Sequence, residues 1–292
     1  MKKYVSWMLL TAVILTASAI AQEAEKEAPK FGWTESLVGN LNFTQTSLSN
    51  WSAGGDDNWN WQLDINGKAV NDQEKINWSN AAKISYGQTK IADQSSRKSA
   101  DEIRLESVMA YKLGTLINPY VAVTGISQVT SSYTFSEDAN GNEVKTEISK
   151  FLNPGFFTES FGIAIKPIPE FQTRLGLAFK QTVATDETFA PAYSDDPDTP
   201  ELEKVRSEVG MESVSDYSRK VSENILYTFK LEMFSAFSAA DEIDVRWDNV
   251  LSAKVSKLVA VSFNLQLFYD KDISPKRQLK QVLAAGLTYS FL

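Results

Sequence analysis

The stretch Arg277-Gln278-Leu279-Lys280-Gln281-Val282-Leu283-Ala284-Ala285-Gly286-Leu287-Thr288-Tyr289-Ser290-Phe291-Leu292 alternates between two faces. Leu279, Leu283, Ala285, Leu287, Tyr289 and Phe291 fall on one, and Lys280, Ala284, Gly286, Thr288 and Ser290 on the other. A strand with one apolar and one polar face, finishing on aromatic residues, points to a β-barrel in a membrane. Hydrocarbon offers no water to an unpaired N–H or C=O, so strands cross it only as a closed sheet with an oily exterior and a separate interior.

Working outward, the same alternation recurs over 36–48, 59–71, 75–88, 100–113, 119–133, 151–166, 171–184, 207–218, 224–238, 243–255 and 259–270. These segments have the length that tilted membrane strands need. Among the cleanest is 59–71, with Trp59, Trp61, Leu63 and Ile65 against Asn60, Gln62, Asp64, Asn66 and Lys68. The segments 119–133 and 151–166 are less polar on their second faces, and 207–218 carries the weakest pattern. With the terminal strand the series predicts an all-β fold, a single antiparallel transmembrane β-barrel of about twelve strands with both ends at the periplasm. Connections after even strands are short, such as 71–74 and 167–169, whereas 49–58, 134–150 and 186–206 are long and polar. That asymmetry is the one expected between periplasmic turns and extracellular loops. Trp59, Trp78, Tyr86, Tyr111, Tyr269 and Tyr289 lie near strand ends, where interfacial girdles form.

Residues 1–21 read as a cleaved signal peptide, with Lys2 and Lys3, an apolar stretch over 7–15 and a small-residue site at Ala19-Ile20-Ala21. Residues 22–35 read as a periplasmic linker and 36–292 as the barrel. No cysteine follows the leader, which argues against a lipoprotein anchor. Loss of Lys2 and Lys3 with the leader takes the formal charge from −8 to −10, a balance that argues against nucleic acid as a partner. With neither Cys nor His in the chain, thiolate and imidazole metal sites, thiol nucleophiles and the commonest general base are all missing. There is no Gly-x-Ser-x-Gly elbow either. The chain therefore reads as no enzyme, with no metal and no cofactor.

Two stretches carry a family resemblance. Leu41-Asn42-Phe43-Thr44-Gln45-Thr46-Ser47-Leu48-Ser49-Asn50-Trp51-Ser52-Ala53-Gly54-Gly55 and the end from Phe268-Tyr269-Asp270-Lys271-Asp272 through Gln278-Leu279-Lys280-Gln281-Val282-Leu283 to Tyr289-Ser290-Phe291 resemble an uncharacterised Bacteroidota outer-membrane β-barrel family, domain of unknown function 3078. The likeness extends over nearly the whole mature chain, and Ser-Asn-Trp-x-x-Gly-Gly is its most specific element. It implies an outer-membrane barrel without an assigned activity. One departure is that Leu292 follows Phe291, where such barrels commonly end on the aromatic.

Three features could carry function. The first loop gathers Asn50, Trp51, Gly54, Gly55, Asp56 and Asp57, which suit either a tight hairpin connection or a stacking and hydrogen-bonding platform at the mouth. The inner face is expected to hold Lys68, Lys83, Arg104, Glu106, Lys112, Arg174, Lys180, Arg246 and Lys254, with Asp64, Lys230, Glu232, Asp244 and Asp248. Such charges either interlock and plug the barrel or, through an excess of base, attract anions into a wet pore. Ser136 to Asn142 with Glu147 superficially fits a calcium-loop template, but Asn140-Gly141 reads first as a type I′ hairpin tip. Residues 195–201 read as a solvated acidic loop rather than a divalent-cation site between lipopolysaccharide molecules.

The leading expectation is a porin-like passive pore or uptake channel for a small polar or anionic solute in the Gram-negative outer membrane. The alternative is a non-conducting structural or interaction barrel that displays its extracellular loops. Expected partners are outer-membrane lipid and lipopolysaccharide, the barrel-assembly machinery and that solute; the sequence sets no oligomeric state.

Overall fold

The computed structural model describes residues 31–49, 56–195, 199–271 and 274–292. The leader expected over 1–21 and the linker over 22–30 lie outside the described residues, as do Asn50, Trp51, Gly54 and Gly55. In chain order the strands are β1 (Gly32–Thr46), β2 (Asn58–Asp72), β3 (Ile76–Ile91), β4 (Arg97–Tyr111), β5 (Ile117–Ser127), β6 (Ser132–Glu137) and β7 (Glu143–Ser149). They continue as β8 (Gly155–Ile168), β9 (Phe171–Val183), β10 (Val205–Ser222), β11 (Ile225–Ala236), β12 (Asp244–Lys254), β13 (Val259–Asp270) and β14 (Ser274–Ser290). All except β6 and β7 form one closed barrel in the order β1-β14-β13-β12-β11-β10-β9-β8-β5-β4-β3-β2, twelve strands in all. Every neighbouring pair in it is antiparallel.

The two-residue period expected from the sequence holds around the ring. Leu41, Leu63, Tyr86, Leu105, Val121, Phe161, Leu177, Met211, Trp247, Phe263 and Leu283 all point outward, and most are exposed, Phe161 at 60% and Leu283 at 76%. An apolar belt of this extent would be a severe liability in water and is what hydrocarbon solvates. Among the described residues no helix is long and apolar enough to cross a membrane. Aromatic pairs mark the two rims: Trp33 with Trp78 at 5.7 Å and Tyr289 with Phe291 at 4.8 Å lie at the end with short turns, and Trp61 with Tyr86 at 5.6 Å lies towards the other. The Phe291 ring closes over Gly39, where even a Cβ would come within 3.2 Å of it.

Three boundaries differ from expectation. β1 starts at Gly32, because Gly32 to Glu35 continue the ladder against Asp72 to Ala69, so 32–35 belong to the barrel and not to the linker. β5 stops at Ser127 and β8 begins at Gly155. The intervening chain folds on itself: Ser127 Oγ donates to Pro154 O (3.1 Å) and accepts from Leu152 N (2.8 Å), while Gln128 Nε2 donates to Lys150 O (2.8 Å). The tip of the β6–β7 ribbon is not a type I′ turn. Only Gly141 has positive φ there (80°), and Asp138 caps a wider loop by accepting from Asn140 N and Asn142 N, each at 2.8 Å.

Candidate functional site

The interior is divided. On one side the inward faces of β4, β5, β8, β9 and β10 are packed shut: Val108, Tyr120, Ala122, Ser160, Ala164, Arg174, Ala178, Thr182 and Val214 are all buried. Tyr120, 3% exposed, lies under the Arg174 guanidinium (5.6 Å to the ring centroid), and Ser160 Oγ donates to Glu212 Oε1 at 2.5 Å. Gly176 makes this possible, since a Cβ there would stand 2.6 Å from the Tyr120 hydroxyl and 2.4 Å from Phe161 O. On the other side, no described inward residue of β1, β2 or β14 is buried. Asn40, Asn42, Gln62, Asp64, Ala284, Gly286 and Thr288 there are partly accessible, and Thr44, Asn60 and Asn66 are exposed.

Between the two sides runs a wall of ion pairs. Arg104 of β4 pairs with Glu232 of β11, Lys230 Nζ lies 2.7 Å from Glu106 Oε2, and Arg246 of β12 pairs with Glu102. Arg174 reaches Glu106 at 2.8 Å from β9. β4 and β11 are separated by β5, β8, β9 and β10 in the ring, so these bonds span the interior and do not follow its wall. Nearer the rim that carries the longer connections, Lys180 gathers Asp244 (2.6 Å), Asp270 (3.4 Å) and Glu208 (3.8 Å). Charges this far from bulk water persist only with such partners, and bidentate guanidinium–carboxylate geometry is the strongest form.

The sequence-predicted residues separate accordingly. Arg104, Glu106, Arg174, Lys180 and Arg246 form the wall and its extensions. Lys83 lies beside it, 3.0 Å from Glu102. Lys68 continues the inward series of β2 and is exposed, Lys112 sits in the turn after β4 at 2.8 Å from Asp72, and Lys254 lies exposed at the end of β12. The expected excess of base on the inner face does not hold. Glu102, Glu208, Glu212 and Asp216, which the sequence reading left out, share that face with Asp270, which the reading placed on the polar face of 259–270, and together they neutralise it. Their signal was present as inward parity on β4, β10 and β13. Of the first-loop candidates, Asp57 Oδ1 accepts from Leu48 N (2.7 Å) and Asp56 O from Asn58 Nδ2 (3.3 Å), both bonds local to the connection.

Above the packed side, the β5–β8 and β9–β10 connections meet. Asp186 N donates to Asn153 Oδ1 (2.8 Å), Lys150 pairs with Asp186, and Tyr193 OH donates to Ile148 O (3.1 Å). Phe189 and Ala190 are buried beneath this cap. The Lys150 ammonium and then the Thr188 N–H hold the Asp186 carboxyl down at about 2, and Asp186 in turn raises Lys150.

The closed ring, apolar belt and charged interior define a membrane-spanning antiparallel β-barrel. Residues 43–133 match the family model described as Protein of unknown function (DUF3078), and 166–291 match that described as Protein of unknown function, DUF481. The first match bears out the resemblance read from the amino-terminal stretch but is shorter than expected, since the carboxy-terminal stretch falls within the second. No curated protein matches the chain. Solved structures with a similar fold include the translocator domain of autotransporter NalP from Neisseria meningitidis, at 8% identity over 97% of this chain and 94% of that one, with a TM-score of 0.39. Others are the COG4313 outer membrane channel from Pseudomonas putida F1 (11% identity, 93% and 99% covered, TM-score 0.40) and the NanC porin (7% identity, 87% and 96%, TM-score 0.37). At such scores these likenesses carry no inference about what this barrel does.

Proposed function

We propose that the protein is a non-enzymatic outer-membrane channel in which small polar solutes diffuse along an off-centre path beside β1, β2 and β14. The carrying observation is the division of the interior, with buried inward residues on β4, β5, β8, β9 and β10 and none among those described on β1, β2 or β14. Side chains along the accessible side are mostly uncharged hydrogen-bonding groups, and the bases beyond them are paired, so the path favours neutral polar solutes over anions. Outer-membrane lipid and lipopolysaccharide surround the belt, and the barrel-assembly machinery inserts it. Purified, folded protein in planar bilayers should give small, discrete, weakly ion-selective openings. A silent bilayer from correctly folded protein would move the reading to the non-conducting barrel, which the ion-pair wall and the cap independently favour as the second reading.

A further inference from the structure

We propose that the seam between β1 and β14 is a lateral portal, through which an amphipathic molecule with a neutral hydrogen-bonding head and an apolar tail moves between the interior and the bilayer. The inference rests on the accessible side of the interior being solvent-filled. It does not require that ions or solutes cross the whole barrel.

Three observations meet at this seam. The first is register. β1 pairs with β2 along its whole length, Gly32 to Thr46, yet with β14 only from Val38 to Asn42, against Ser290 to Gly286. β14 meanwhile stays paired with β13 as far as Ser274. Above Asn42 and Gly286, on the extracellular side, Phe43 to Thr46 and Val282 to Ala285 continue as strands without pairing to one another. A strand edge left open in hydrocarbon is costly, because its N–H and C=O groups have lost water and gained nothing. Water from the interior, or a ligand that brings its own hydrogen-bonding groups, relieves that cost.

The second observation is an apolar hollow of about 320 Å³ outside the same level, lined by Leu41, Phe43, Val259, Ala285, Gly286 and Leu287. It straddles the end of the pairing, from the Leu41–Leu287 pair to Phe43 and Ala285 beyond it. The third lies directly inside. The Asn42 amide covers Gly286 so closely that a Cβ there would stand 2.3 Å from Asn42 Oδ1. Asn40 and Thr288, cross-strand partners of one another, adjoin it, and no described side chain hydrogen-bonds to the Asn40 or Asn42 amides. Carboxamides and hydroxyls present both donors and acceptors without charge, which suits a hydroxyl-rich or amide-bearing head. Polar lining inside, apolar hollow outside and an open edge between them match a molecule that is polar at one end only.

The chain contains no cysteine, so a disulfide can be placed across the seam without background. Thr44→Cys with Ala284→Cys bridges the first inward-facing level beyond the pairing, and Val38→Cys with Ser290→Cys bridges the paired level as a control. The full chain, folded into vesicles, is exposed to a photoreactive alkyl glucoside dissolved in the bilayer, and labelled peptides are mapped. We expect inward-facing label on β1 and β14 in the reduced Thr44→Cys/Ala284→Cys protein, loss of most of it on oxidation, and no change in the control. Equal interior labelling of both redox forms would overturn the portal, as would label confined to the outer belt. Disulfides forming between two chains would overturn it in favour of strand exchange between copies. Bilayer conductance measured on the same samples reports separately on the diffusion path: its absence would count against the channel reading and not against a portal that still shows redox-dependent labelling.

Discussion

The two sides of this barrel are built from the same strand alternation and enclosed by the same apolar belt, yet one is filled and the other is not. On the filled side small residues at Ala122, Ala164, Gly176 and Ala178 admit Tyr120 and Arg174, and long charged side chains cross from the opposite wall to finish the packing. Along β1, β2 and β14 the inward residues are mostly carboxamides, hydroxyls and small or short apolar side chains, with Asp64 in β2 and with Lys68 and Lys280 towards opposite ends. A barrel of fixed strand number encloses a fixed space. What decides whether that space is filled is the length and pairing of the inward side chains, not the architecture.

The largest test of this difference removes the hub of the wall. Glu106→Gln leaves Arg104, Arg174 and Lys230 short of one carboxylate, and should lower unfolding stability by about 3 to 5 kcal/mol, the range for breaking a buried pair from one side. Urea titration followed by tryptophan fluorescence reads this out, and any conductance should shift towards anions. The outer face should ignore the interior contrast. Leu283→Arg, outside the open side, and Leu177→Arg, outside the filled side, should each cost about 2 to 4 kcal/mol in vesicles if they lie near the bilayer centre. Clearly unequal costs would show that the belt is not uniformly lipid-facing. Gly176→Ala forces a methyl against Phe161 O and the Tyr120 hydroxyl and should destabilise by about 1 to 3 kcal/mol, whereas Asn66→Ala on the open side should stay within about 0.5 kcal/mol.

The smallest effect concerns the cap over the filled side. The Asp186 carboxyl is depressed to about 2, so its contribution to cap stability is fully present above the pKa of a free aspartate and is lost as pH falls through about 2. At pH 3 the Asp186 carboxyl carbon should still show the ionised chemical shift, and Lys150→Met should raise its midpoint part of the way towards the usual aspartate value of ~3.9, the Thr188 hydrogen bonds retaining the rest of the depression. A midpoint unchanged by that substitution would remove Lys150 from the account.

Face assignment was legible in the sequence because alternation is a local property that hydrophobic burial enforces along each strand. Trp59 to Lys68 and Leu279 to Ser290 alternate in the structure as they do in the sequence. The exception is instructive. The segment 207–218, whose pattern is weak because Ser207, Ser213 and Ser215 on its outer face dilute the contrast, lies within the 18-residue β10, the longest strand among the described residues. Much of the interior was not legible. Arg104 and Glu232 are 128 residues apart, and nothing local to either says that β4 and β11 face each other across the ring. The inward acids Glu102, Glu208 and Asp270 were readable by parity, but the neutrality they produce emerges only when the ring closes.

One consequence concerns how such a protein can change over generations. The insertion between β5 and β8 is tied at its neck by Ser127, Gln128, Lys150 and Asn153, so its ends are fixed beside each other whatever the ribbon beyond them does. Lengthening or rewriting the tip between Glu137 and Glu143 costs only slowly growing loop entropy and leaves the barrel ladder untouched. In the proposed outer-membrane orientation, the outermost sequence is thus free to drift while the wall beneath it stays fixed. The same tip is the natural place to graft a foreign epitope for display on a cell surface.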